Sequence, residues 1–94
     1  MVKSEELQHW LDELCKELGL PACDTIIYTE MDDYVGIIGE PDGGCLVVYE
    51  VANPEKYCVA VEKCVLQNRD FVYKTLKKQI GLYKEFIEHK KEER

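Results

Sequence analysis

Few side chains in this sequence are equipped for chemistry. Of 94 residues, one is serine (Ser4), three are threonine (Thr25, Thr29, Thr75) and two are histidine (His9, His89). Nucleophilic catalysis by a Cys–His pair needs an imidazole that meets a thiol. His9 falls on the polar side of an amphipathic segment and His89 in a charged tail, so neither is placed for that role. Glu30, Asp32 and Asp33 cluster at one turn, and Glu55, in a turn at the same end of a meander, is expected to join them in an acidic rim. Grouped carboxylates can hold Ca²⁺ or Mg²⁺, but this spacing is not that of an EF-hand loop, and turns favour Asp for backbone reasons. The rim therefore reads as solvated. A glycosidase carboxylate pair needs a walled sugar cleft, for which so short a chain has little room. Gly36, Gly39, Gly43 and Gly44 lack the following helix N-terminus and the Lys-Ser/Thr pair of a phosphate loop. The inventory predicts no catalytic residues, no cofactor and no metal.

The five cysteines, Cys15, Cys23, Cys45, Cys58 and Cys64, are odd in number and show no C-x-x-C spacing. A zinc site of closely spaced pairs and a thioredoxin-like motif are both missing. Most of these thiols fall in apolar runs, where cysteine acts as a small buried hydrophobe. The expectation is reduced thiols in a cytoplasmic protein. No apolar run approaches the length of a membrane span, and residues 1–6 do not form a signal peptide.

The net charge is −7, and it is unevenly spread. Residues 1–66 carry 4 basic and 14 acidic side chains, whereas residues 67–94 carry 8 basic and 5 acidic. An acidic front argues against a duplex-binding module, which needs concentrated Lys and Arg to displace counterions. Lys74, Lys77, Lys78 and Lys84 spread over one helix face and read as a solvated surface.

The elements that must position these residues follow from periodicity. Leu7, Trp10, Leu11, Leu14, Cys15 and Leu18 form one helical stripe. Ser4 is the expected N-cap, and Gly19-Leu20-Pro21 reads as a Schellman end. Trp10 is expected to be buried against the sheet. Four strand-like runs follow, over 25–29, 34–39, 45–51 and 57–66, separated by the turns Met31-Asp32-Asp33, Pro41-Asp42-Gly43-Gly44 and Asn53-Pro54-Glu55-Lys56. Connections this short predict antiparallel hairpins. A second helix is expected from about Arg69 to about Lys90, capped by Asn68 or Asp70, with a stripe of Val72, Leu76, Ile80, Tyr83 and Ile87. Residues 88–94 have nothing apolar to pack and are expected to fray.

The fold expected is a single α+β domain over 1–94, a two-layer sandwich of an antiparallel four-stranded meander with an N-terminal and a C-terminal helix, in the order α-β-β-β-β-α. Helices on one side cover one sheet face, yet the third and fourth strands are apolar on both, with Leu46 and Val48 on the far side of the third. Phe71, Leu82 and Phe86 form a further apolar strip beside the main stripe of the second helix. An open apolar patch on a small protein marks an interaction surface, so these five residues are the candidate partner-binding set, and a homodimer is expected.

The stretch Leu11-Asp12-Glu13-Leu14-Cys15-Lys16-Glu17-Leu18-Gly19-Leu20-Pro21 resembles the first helix of type III secretion chaperones, small acidic proteins whose opening helix ends in a similar turn. Gly43-Gly44-Cys45-Leu46-Val47-Val48-Tyr49 is similar to their central strand, and the final helix stands in the matching place. The resemblance implies a non-catalytic homodimer that holds an extended partner segment along an apolar surface. The function expected is a protein-binding module, chaperone-like or regulatory. The alternative is a small acidic inhibitor, of the kind carried by mobile elements, that blocks a nucleic-acid-binding protein by mimicking phosphate charge.

Overall fold

A computed structural model describes residues 2–27, 36–40, 44–62 and 67–92. Its elements are α1 (Ser4–Leu18), β1 (Asp24–Ile27), β2 (Gly36–Glu40), β3 (Cys45–Tyr49), β4 (Tyr57–Val61) and α2 (Arg69–Glu92). The class and order are the expected α+β arrangement, with a helix at each end of the chain.

Helix α1 begins one residue earlier than a Ser4 cap requires. Ser4 is already helical, Lys3 occupies the cap position without a side-chain bond, and the Leu7 N–H donates to the Lys3 carbonyl at 3.1 Å. The far end is a Schellman turn: Gly19 adopts φ 72°, its N–H reaches the Lys16 carbonyl at 3.4 Å, and the Leu20 N–H reaches the Cys15 carbonyl at 2.8 Å. Helix α2 starts at the Asn68 cap, whose Oδ1 accepts the Phe71 N–H at 3.0 Å. It continues to Glu92, through the exposed residues 88–92 that the sequence pattern marks for fraying.

The sheet departs from a pure meander. Its strand order is β1-β4-β3-β2. The hairpins β2–β3 and β3–β4 are antiparallel as expected, but β1 pairs in parallel with β4, Thr25 opposite Val59 and Ile27 opposite Val61. The Met31-Asp32-Asp33 turn lies outside the described residues. What decides the order is β4. All five of its residues are buried, and a strand apolar on both faces belongs in the interior of a sheet, flanked on each side. A meander would leave it at an edge. The edge falls instead to β2, which carries two glycines and an exposed Ile37.

Both helices pack on one face of the sheet. Cys45, Val47, Tyr57, Val59 and Val61 meet Leu7, Leu11, Leu14, Val72, Leu76, Ile80 and Tyr83 in one core. Trp10 is half-buried at the margin of this core and meets α2: its ring meets Tyr73 edge-on at 5.3 Å, with the Arg69 guanidinium over it at 5.7 Å. Arg69 also pairs with Glu6, tying the start of α2 to α1. At the β2 edge, the Tyr49 ring fills the space above Gly36, its cross-strand partner, and a Cβ at Gly36 would overlap that ring.

Candidate functional site

The two edges of the sheet are finished differently. At the β1 edge, Gln8 of α1 accepts a hydrogen bond from the Thr25 N–H on Oε1 and donates one from Nε2 to the Cys23 carbonyl, each at 2.9 Å. One side-chain amide thus satisfies the outward backbone groups of residues 23 and 25, as a neighbouring strand would. At the β2 edge no described side chain plays that part. An open edge is a template for another strand.

Above this edge runs the flank of α2. Gln79, fully buried, lies against Gly39 of β2: a Cβ at Gly39, whose φ is 133°, would sit 2.9 Å from Gln79 Oε1. Residues 75, 82 and 86 are neighbours of Gln79 on the helix surface, at spacings of four, three and seven. Leu82 and, about three turns toward the N-terminus, Phe71 are 42% and 43% exposed. Phe86 is half-buried, its ring tilted at 46° to that of Tyr49 with centroids 4.6 Å apart, and Lys90 Nζ lies 5.7 Å from it. Below the edge, Ile37 points to the far face and is 61% exposed. The structure therefore brings Phe71, Leu82 and Phe86 together on one flank and adds Ile37, which the sequence reading did not single out.

On the far face of the sheet, Leu46 is half-buried, and Val48 has no accessible surface. Cys58 and Ala60 beside them are buried as well. Glu30, Asp32 and Asp33 lie outside the described residues. Glu55 is exposed and lines a hollow of about 160 Å³ with Ala52, Asn53, Pro54, Ile87, Lys90 and Lys91.

A second constellation was not foreseen from the sequence. Cys15, in the last turn of α1, has its Sγ 3.1 Å from Tyr57 Oη, and the Tyr57 hydroxyl donates to the Pro21 carbonyl at 2.9 Å. Cys23 is the neighbour with the largest influence on the Cys15 thiol. The Schellman turn and Pro21 reverse the chain so that residue 23 returns beside residue 15. Cys23, with a smaller contribution from Tyr57, outweighs burial and the nearby Asp12 carboxylate and lowers the Cys15 thiol to about 7. Cys23 is pushed up, first by Cys15 and then by burial. Burial, followed by the bond to Cys15, raises the Tyr57 phenol, and burial alone holds Cys45 up at about 12. Cys15 lines a surface hollow of about 510 Å³ with Asp12, Lys16, Leu20 and Ala22.

Among the described residues, no three His, Cys, Asp or Glu side chains stand together to hold a metal ion, and no helix is long and apolar enough to cross a membrane. No family model, no curated protein and no solved structure matches this chain.

Proposed function

We propose that this protein is a non-catalytic protein-binding module that works in the cytoplasm as a homodimer and engages its partners through the β2 edge and the adjoining flank of α2. The observation that carries this reading is a strand edge that pairs with no described strand, with exposed apolar side chains above it (Phe71, Leu82) and below it (Ile37). A strand added to β2 offers side chains alternately to the two sides. One set meets the α2 strip and the other meets Ile37, while the backbones close the ladder. A second copy supplies such a strand: antiparallel pairing of β2 with its symmetry mate about a two-fold axis is self-complementary and sets one α2 flank beside the other. The sequence resemblance of residues 11–21 and 43–49 to type III secretion chaperones supports a protein-binding role, chaperone-like or regulatory.

The acidic inhibitor remains the competing reading. It is supported by the charge of residues 1–66 alone, whereas the exposed apolar strip serves no purpose in it. Substitution of Leu82 by Asp separates the two. Leu82 is exposed, so the variant folds; light scattering after size exclusion then shows loss of self-association on the present account. An unchanged dimer in Leu82→Asp contradicts the proposed surface.

A further inference from the structure

We propose that the α2 flank pairs with the same flank of a second copy in one antiparallel register fixed by charge: Lys78 opposite Glu85 and Lys74 opposite Glu88 of the second copy, with Leu82 at the two-fold axis. The inference rests on the homodimer reading above. It adds which residues admit a second copy and in which orientation.

The first support is the order of charge along one strip of α2. Residues 74, 78, 81, 82, 85 and 88 recur at spacings of three and four, so they share one side of the helix. Lys74, Lys78, Glu85 and Glu88 are all exposed. The strip is positive in its first half, uncharged at Gly81 and Leu82, and negative in its second half. Turned end for end, it is its own complement: each lysine of one copy meets a glutamate of the other. A parallel pair would set Lys78 against Lys78 and Glu85 against Glu85. Leu82, 42% exposed at the centre of the strip, meets its own copy at the axis.

The second support comes from the sheet and is independent of charge. A two-fold axis that pairs β2 antiparallel with its mate passes beside the middle of the strand, Ile38. Two contacts locate α2 over that strand. Gln79 lies against Gly39 near one end. Phe86 lies against Tyr49, whose ring covers its cross-strand partner Gly36 at the other end. The helix rises about 10 Å between residues 79 and 86, and the strand about 10 Å between residues 39 and 36. Helix and strand therefore run alongside each other in opposite directions and in step, and Ile38 falls beside Gly81 and Leu82. The axis that strand pairing requires crosses α2 where its charge changes sign.

Exposed ion pairs add little affinity, whereas like charges brought together are unfavourable, so these pairs act on partner and orientation more than on strength. The overall repulsion between two chains of −7 each acts separately from them.

The test mixes the wild-type chain, labelled with heavy nitrogen, with a charge-swapped variant carrying Lys74→Glu, Lys78→Glu, Glu85→Lys and Glu88→Lys, and counts dimers by native mass spectrometry. The swap keeps the net charge. It also moves acidic side chains toward the N-terminus of α2 and basic ones toward its C-terminus, as the helix dipole favours. Each chain alone is expected to dimerise equally, because the swapped strip is still its own complement. The mixed dimer is expected about tenfold below its random share, since its opposite-charge contacts all become like-charge contacts. A second measurement needs no variant: carbodiimide applied to labelled and unlabelled wild-type chains together is expected to join Lys78 of one copy to Glu85 of the other. Mixed dimers at the random share, a swapped chain that folds but stays monomeric, or crosslinking between copies that omits Lys78 and Glu85 overturns this register and leaves the homodimer standing. A wild-type chain that is monomeric in the same measurement overturns both.

Discussion

Gln8 closes the β1 edge by binding the backbone at Thr25: its side-chain amide takes the Thr25 N–H and, two residues back, reaches the Cys23 carbonyl. A helix side chain here imitates a strand. The relationship supplies the Thr25 N–H and the Cys23 carbonyl with partners from within the chain. Replacing Gln8 by Ala removes both bonds and leaves part-buried backbone groups to find water. The expected cost is about 1–3 kcal/mol, read as a fall in the midpoint of urea unfolding with an unchanged slope. A midpoint equal to wild type would mean that the β1 edge holds without Gln8.

Trp10 bridges the helices, packed on Tyr73 and under Arg69. Because the ring is half-buried, Trp10→Ala should cost about 2 kcal/mol, below the roughly 3–5 kcal/mol typical of a large aromatic in a closed core. Denaturant unfolding measures it; a loss at the full core value would place the ring deeper than its contacts indicate.

Gly81 lies inside α2 with open space where a Cβ would stand. Nothing obstructs alanine, and glycine in a helix interior forgoes about 0.5–1 kcal/mol relative to it. Gly81→Ala should therefore raise the thermal midpoint. Destabilisation by this change would show that the position needs a backbone freedom only glycine supplies.

The thiols should separate by pH. The folded protein lowers Cys15 to about 7 from the ordinary 9.0, chiefly through Cys23, so its alkylation rate should climb through neutrality and level off before pH 9. Burial holds Cys45 at about 12, and it should stay inert over the same range. The linked stability has a matching sign. A depressed thiol pKa stabilises the fold fully above the unfolded value of 9.0, and that contribution fades as pH falls through about 7. Cys45, raised by burial, works in reverse and weakens the fold as pH climbs above 9.0. Iodoacetamide labelling followed by mass spectrometry reads each cysteine separately; a Cys15 profile centred near 9 would contradict the cluster.

What was legible in the sequence was local. Gly19-Leu20-Pro21 specifies its turn within three residues. Gly44 and the Asn53–Lys56 turn place β3 between its two antiparallel neighbours, the latter through the Lys56 N–H to Asn53 carbonyl bond at 2.9 Å. The position of β1 was not legible, because the pairing of Thr25 with Val59 joins residues far apart in the chain and leaves no mark on the segment between them. Its indirect trace was β4 itself: an apolar run on both faces reads equally as an exposed patch or as an interior strand, and the structure makes it interior. Of the candidate surface, Phe71 and Leu82 followed from helical spacing. Ile37 became visible only once β2 was known to be an edge, and the Cys15–Cys23 pair only once the Schellman turn had brought the two thiols together.

The central claim is that two copies associate through the β2 edge and the α2 flank. Each chain carries −7, so like charge opposes association and added salt screens that opposition. Sedimentation equilibrium at micromolar concentration and two salt levels tests this most directly. The account predicts a dimer whose dissociation constant falls as salt rises. A monomer at both levels, or a dimer that dissociates as salt is added, would contradict it.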